Sequence, residues 1–596
     1  MIQNRPRRPV ATRLNTLAAC LAAVLAAGGA PHGVAAPTPV GDSHPLRFNA
    51  NVRKDAAPRF QRATNRWLHD IRPRSAKTGP AHPAVTHTVT NCDDAGPGSL
   101  RQAVADAATG DVIDMTGLAA CTITLASGEI SVPVPNLDIR GPGQDVVTVD
   151  GGDISRIFAS GYAMSIRDLT IAHGHNDVGG CLFVDDDLTL TRTTITGCAG
   201  GDGVNAVSYG AGAFVGGDLV MMSSNISGNI GQALAGALGG GIYVGGEATI
   251  SYSTISNNVA SANSGSAGGG IFAKGDVHAT ETSVLANSAI STGSSAYGGG
   301  IFSNGTAIVL SQASIVRGNL AHSETYWSYG GGVQGGIYGE GSDITVMNST
   351  LSGNTASSNY TTCSAMGGGA GGFGVITASY STISDNQALS TSIAVGGGLG
   401  TSAYGIAGAI AILNSTVSGN TAQGGGGSFG GGLAAVISPF FVSNSTIAFN
   451  EAGSFGGGMT GIASGVTAPQ LDSSIVASNQ APEGSDIASS GDPFTVTGTH
   501  SFVMIAGDGV VLPADTIAVD PLLLPLMHNG GATKTHALAP CSLAVDAGSN
   551  GSALLTDQRS GVYARENGIA ADVGAFELQP DPERIFFGDF ERPLCP

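Results

Sequence analysis

The chain has 596 residues, 92 of them glycine, and only 12% are charged, for a formal net charge of −19. That length exceeds what one compact core holds, whereas a stack of repeated units has no such limit. Acidity on this scale repels nucleic acid, which removes that class of partner.

Residues 1–35 read as a secretory signal. Arg5, Arg7, Arg8 and Arg13 precede the apolar run Leu17–Ala27, and a small-residue exit puts cleavage after Ala35. The run is too short to stay as a membrane span. Leu17-Ala18-Ala19-Cys20 mimics a lipoprotein cleavage box, but most of the apolar run follows Cys20, which favours ordinary cleavage. Residues 36–84 form a leader rich in Pro and Arg. From 37 to 84, nine basic residues stand against three acidic ones, a net of +6; from 85 to 596, twelve stand against 41, a net of −29. Within the leader, Pro58 opens a helix with Phe60, Thr64, Trp67, Leu68 and Ile71 on one face. It is read as part of a linker; the alternative is a face that lies on a membrane surface or on the acidic body.

Residues 85–187 are expected to hold an N-terminal cap and the first irregular coils. Ser99 caps a short helix through Leu100, Ala103, Val104 and Ala107 that stops at Gly110. Strand signals follow at Val112–Met115, Thr122–Leu125, Leu137–Arg140 and Val146–Val149.

Regular repeats fill residues 188–491. A Ser/Thr-rich strand ends in Asn, a polar stretch follows, and a glycine cluster leads into an apolar residue, as in Ser253-Thr254-Ile255-Ser256-Asn257-Asn258. The closing asparagines are Asn229, Asn258, Asn287, Asn319, Asn354, Asn386, Asn420, Asn450 and Asn479, spaced 29, 29, 32, 35, 32, 34, 30 and 29. A period in this range means stacked units. Few good helix formers and many glycines exclude helical repeats. Three short strands per coil, with Ile250 and Tyr252 on one face, describe an all-β parallel β-helix of about fourteen coils. Asn suits a corner because it tolerates the left-handed conformation and its amide can bond along a ladder. The functional alternative for this slot is a ligand-binding ladder. Residues 492–577 hold the last coils and a non-repeating cap, and 578–596 a tail.

Seven cysteines remain after signal removal. Cys92–Cys121 and Cys181–Cys198 are the sequence-near pairs, Cys541–Cys595 is a third, and Cys363 is left over. No Cys-x-x-Cys occurs, so zinc is not indicated.

Three segments resemble known families. Cys92-Asp93-Asp94-Ala95-Gly96-Pro97-Gly98-Ser99-Leu100-Arg101 resembles the start of exported bacterial right-handed parallel β-helix proteins. The Gly-Gly-Gly-Ile and Asn repeats are similar to those of polymorphic outer-membrane proteins. Ser542–Gly548, Asp557-Gln558-Arg559 and Asp572–Glu577 look like the choice-of-anchor Q domain, except that Ser560 stands before Gly561 where that family runs directly from Arg to Gly. The resemblance implies an exported or surface β-helix of a Gram-negative cell and no particular catalysis. No C-terminal run of long alternating strands supports a self-transporting barrel.

Parallel β-helices also host polysaccharide lyases and hydrolases, which need clustered carboxylates, or calcium with a base. The best candidates are His173, His175 and Asp177, with Asp185, Asp186 and Asp187 beyond them; the alternative is a polar loop and a solvated acidic turn. Asp218, Glu247 and Asp276 occupy one slot on successive coils; they are read as solvated turns, because the tandem Gly-Gly-x-Gly-x-Asp repeat is absent, and are the candidates for Ca2+ in the alternative. Arg559, Arg565, Asp557 and Asp572 read as a charge network holding the cap. The resulting expectation is a secreted or outer-surface structural and adhesive scaffold. It is monomeric, with no cofactor beyond possible Ca2+, no nucleic-acid partner, glycans or cell-surface components as partners, and peripheral outer-membrane association. The alternative is a polysaccharide lyase or glycoside hydrolase on the same fold.

Overall fold

The computed structural model describes residues 83–201, 207–336, 341–361, 364–402, 408–462 and 468–579. The signal, the leader with its helix, Cys363, Cys595 and nearly all of the tail lie outside these. The fold is a parallel β-solenoid of about thirteen turns, one for each strand of a 13-stranded sheet. Its single α-helix among the described residues is Leu100–Ala105, capped by Ser99, whose Oγ accepts from Gln102 N at 3.2 Å. The helix ends at Ala105, five residues before Gly110, and buries Leu100, Ala103 and Val104 over the first coil. No helix among the described residues is long and apolar enough to cross a membrane.

From 219 to 436 each coil carries five short strands rather than three. The coil at 219–244 runs Leu219–Met222, Asn225–Ser227, Ile230–Ala233, Gly236–Leu238 and Ile242–Val244. The extra breaks come from residues in the left-handed region. One breaks the first sheet in two, as at Ser223, Tyr252 and Glu281; a second precedes each ladder asparagine. The continuous strand expected through Ile250 and Tyr252 is therefore interrupted: Ile250 faces the core, while Tyr252 has φ +52° and is 57% exposed. The next inward residue is Ile255.

The main core is a column of aliphatic side chains. Ile226, Ile255, Val284, Val316, Leu351, Ile383, Val417, Ile447 and Val476 stack in register and are fully buried. Each contributes about 1.5–3 kcal/mol. A second layer covers one flank. The 9-stranded and 8-stranded sheets close on each other over small side chains such as Ala356, Ala365, Ala388 and Ala422. The 8-stranded sheet then seals an aromatic stack on the outside of the 13-stranded sheet, where Phe183, Phe214, Tyr243, Phe272 and Phe302 follow one another at 4.9–5.1 Å.

The asparagines bond along the stack, and always in one direction. Asn258 Nδ2 donates to Asn287 Oδ1 at 2.9 Å and to the carbonyl of Ile226 in the preceding coil at 2.9 Å; Asn258 N also donates to Asn287 Oδ1. The left-handed residue is not the asparagine but its predecessor: Gly228, Asn257, Ala286, Gly318, Gly353, Asp385, Gly419, Phe449 and Ser478. The turn is made there, which leaves the asparagine free to point inward. Cys198 fills the slot one coil earlier, its N–H donating to Asn229 Oδ1 at 3.0 Å while its sulfur bonds Cys181. At the other end Asn479 N and Nδ2 donate to Asp486 Oδ1. A hydroxyl ladder runs parallel to it, with Ser349 N on Ser381 Oγ, Ser381 N on Ser415 Oγ and Ser415 N on Ser445 Oγ, each at 3.1 Å.

Cys92–Cys121 and Cys181–Cys198 are disulfides. Such bonds persist in oxidising compartments and point to an extracytoplasmic protein. Cys541 is also disulfide-bonded.

The C-terminal segment lies along the side of the stack rather than over its end. Gln558 Nε2 donates to Thr382 Oγ1 and its Oε1 accepts from Thr416 Oγ1, while Ala575 N reaches Thr446 Oγ1 and Asn444 Nδ2 reaches the carbonyl of Ser549. Leu538, Ala544 and Val573 pack on Ile475 and Ala477.

Candidate functional site

The His–Asp set is spread over two corners of one coil. His173 follows the strand Met164–Ala172 at φ +53°, is about half exposed, and has Nδ1 2.9 Å from Asp150 Oδ2. His175 and Asp177 are engaged through their backbones, His175 N on the carbonyl of Ser155 and the carbonyl of Asp177 on Tyr209 N. Asp185, Asp186 and Asp187 form the exposed turn between Leu182–Val184 and Leu188–Thr196. No hydrogen bond or ion pair joins them to the histidines. Asp187 Oδ1 instead accepts from Asp218 N at 2.8 Å.

That bond explains the acidic slot. Asp218 Oδ1 accepts from Glu247 N at 2.8 Å, and Asp276 Oδ1 from Thr306 N at 2.6 Å and Ala307 N at 3.0 Å. Asp218 and Asp276 thus each satisfy an N–H of the following coil, and Glu247 lies 3.4 Å from His278 Nε2. A calcium site needs six to eight oxygens converging on one point. These carboxylates do not fit one, and among the described residues no group of three or more His, Cys, Asp or Glu converges to hold a metal.

In the C-terminal segment, Arg559 grips Asp557 through Nε and Nη2 at 2.9 and 2.6 Å, and its guanidinium lies between the rings of Tyr563 and Phe576 at 3.9 Å from each. Arg565 is fully buried and donates to the carbonyl of Asp572. Burial pushes Arg565 down and Glu577 up to about 7, even though both Glu577 oxygens accept backbone N–H groups. These bonds tie the turns of the segment to one another, and Arg565 Nη1 reaches the solenoid at Asn414 Oδ1, 3.5 Å away.

A small concavity of about 230 Å³ lies beside this cluster, lined by Asp546, Asn567 and Asp572 among others, and a larger one lies elsewhere. A groove of about 460 Å³ crosses three coils on the outer face of the 9-stranded sheet, lined by Ser357, Asn359, Leu389, Thr391, Gln423 and Gly425 among others. Two of its side chains are held in place by a short chain of bonds. His322 Nδ1 lies 2.7 Å from Ser357 Oγ, His322 Nε2 lies 3.0 Å from Glu324 Oε1, and Asn359 Nδ2 donates to Glu324 Oε2 at 2.7 Å. Bonds from His322 and Asn359 hold the Glu324 carboxyl below its usual range. Beside the groove, Tyr326 stacks on Tyr360 at 5.3 Å and meets Trp327 edge-on at 6.4 Å. Thr391 Oγ1, from the groove wall, donates to the carbonyl of Tyr360 at 2.8 Å. Sequence reasoning overlooked this site. The one available signal is the run Glu324-Thr325-Tyr326-Trp327, which places one of the chain's two tryptophans in a repeat otherwise built of small residues.

No family model, no curated protein and no solved structure matches this chain.

Proposed function

We propose that the chain is an exported or cell-surface scaffold that adheres to glycans or other cell-surface components without turning them over. It works as a monomer that presents its long sides to the surroundings, with peripheral association at the outer membrane. The observation that carries this reading is the pairing of an open groove lined by uncharged side chains on the outer face of the 9-stranded sheet with a stacked tyrosine platform in the adjoining turns. Such a surface offers hydroxyls, amides and aromatic rings, the groups that hold polar, amphipathic ligands. The acid–base candidates support it as well: His173 is engaged with Asp150, and Asp187 with the backbone N–H of Asp218 at the same corner of the next coil. Hydrolysis of a glycosidic bond needs two carboxyl groups facing one sugar.

The test applies the full chain to a panel of neutral and acidic glycans. It follows binding together with release of reducing ends and of unsaturated products. Binding without product is the expected result. Steady product release that is lost in Asp185→Ala would replace this reading with a polysaccharide-degrading enzyme.

A further inference from the structure

We infer that the groove on the outer face of the 9-stranded sheet takes an uncharged glycan chain lying along the solenoid axis, with Tyr326 and Tyr360 as its stacking platform. The inference rests on the adhesive reading above and names its site and ligand class.

The shape favours a polymer. The groove is open and crosses three coils, and parallel strands repeat about every 4.8 Å. Its polar groups therefore recur along the axis. A chain of similar units can run along the row Ser357, Leu389 and Gln423, supplied by consecutive strands in register, with Asn359, Thr391 and Gly425 beside it just past the strand ends.

The chemistry selects against charge. No side chain lining the groove is ionised. The charged side chain at its edge, Glu324, is an acid, and the chain from 85 onward carries a net of −29. A polyuronate or sulfated glycan would enter a repulsive field with no Lys or Arg among the described lining residues to receive it, and the His322 ring beside them is engaged with Ser357 and Glu324. Hydroxyls and carboxamides suit sugar hydroxyls, which both donate and accept.

Aromatic packing supplies the apolar contact. Tyr326 is 42% exposed, and its stack on Tyr360 presents ring surface at the groove's edge. The C–H face of a pyranose packs on such rings while the phenol O–H stays wet. Little has to be ordered on binding, because His322 and Glu324 already orient Ser357 and Asn359, and Thr391 ties the wall to the platform.

The experiment titrates the full chain with neutral cello-, xylo-, manno- and chito-oligosaccharides and with oligogalacturonate, by calorimetry. It is repeated on Tyr326→Ala, Tyr360→Ala, Gln423→Ala and, as a control on another face, Tyr252→Ala, with circular dichroism on each. At least one neutral series is expected to bind, more tightly than oligogalacturonate. Tyr326→Ala and Tyr360→Ala are expected to weaken it about tenfold or more, and Tyr252→Ala to leave it unchanged. Neutral binding that survives both groove-side tyrosine substitutions overturns this site and leaves the adhesive reading standing. Tighter binding of oligogalacturonate overturns the ligand class. Failure of every glycan to bind overturns this inference and the glycan half of the adhesive reading, leaving adhesion to other cell-surface components.

Discussion

Gly241 and Asn258 face each other across one coil boundary, and a Cβ on Gly241 would stand 3.0 Å from Asn258 Cγ and 2.7 Å from the carbonyl oxygen of Gly270. The same pairing recurs at Gly270 with Asn287, Gly332 with Asn354 and Gly432 with Asn450. The third glycine of each cluster is thus required by the ladder of the coil after it. The first has a different reason, a left-handed φ, as at Gly239 and Gly268.

Gly241→Ala is therefore expected to lower stability by about 1–3 kcal/mol through overpacking against fixed backbone. Gly353, at φ +62° with open space around its would-be Cβ, gives the comparison. Gly353→Ala meets only the conformational penalty, about 1–2 kcal/mol. Urea denaturation of both, with exchange protection of the neighbouring coils, separates the cases: only Gly241→Ala should also expose amides near Asn258.

Asn258→Ala is expected to cost about 1–3 kcal/mol, because it strips the acceptor from Asn229 Nδ2 and from Asn229 N, both buried. The loss should appear as faster amide exchange at Asn229 and at its neighbours in the preceding coil. Unchanged exchange there would count against the ladder as a stabilising device.

Removing the Cys181–Cys198 bond by a double Ser substitution opens a loop of 17 residues and is expected to destabilise the chain by about 3 kcal/mol. Proteolysis of the coil at 173–200, compared with and without reductant, reads that loss directly.

The C-terminal segment should hold less firmly in mild alkali. Glu577 has its folded pKa raised to about 7 from an ordinary 4.5, so its contribution is complete below about pH 4.5 and is lost as pH rises through 7. A shift of that size corresponds to about 3 kcal/mol at most. Exchange protection of residues 555–577 is expected to fall between pH 5 and pH 8.5 while that of the central coils stays level.

Chelation is expected to leave the unfolding midpoint unchanged. Oδ1 of Asp218 and Oδ1 of Asp276 already satisfy backbone N–H groups of the next coil. Asp218→Ala should instead free the Glu247 amide and raise its exchange rate.

The stacked architecture was legible because a solenoid repeats its constraints: the Asn period and the glycine clusters are the same physical demand made once per coil. What the period could not show is which residue makes the turn. Asn257 and Asn258 look alike in sequence, yet only Asn257 has positive φ, since the inward amide of Asn258 is claimed by Asn287. Tyr252 was misread for a related reason. Alternation along Thr249–Ile255 implies an unbroken strand, and a single left-handed residue shifts the inward face from Tyr252 to Ile255. The groove was less legible still. Ser357, Leu389 and Gln423 lie 32 and 34 residues apart, and nothing in their local sequence distinguishes them from ordinary strand residues until the register lines them up.

The asparagine ladder also has an arrow. Every ladder carboxamide gives one proton back to a carbonyl of the preceding coil and the other, together with its backbone N–H, forward to the next ladder residue, so a coil is chemically incomplete until its successor arrives. A chain emerging N-terminus first would add each new turn onto a row of waiting donors, and Asp486 closes the row with a carboxylate that accepts but does not donate. Cutting the stack anywhere before that residue would leave an adhesive edge, with buried-type donors and unpaired strand groups turned outward. Shortened versions of this protein should then associate end to end, whereas loss or gain of one whole internal turn should pass with little consequence, because the two faces it rejoins are the same.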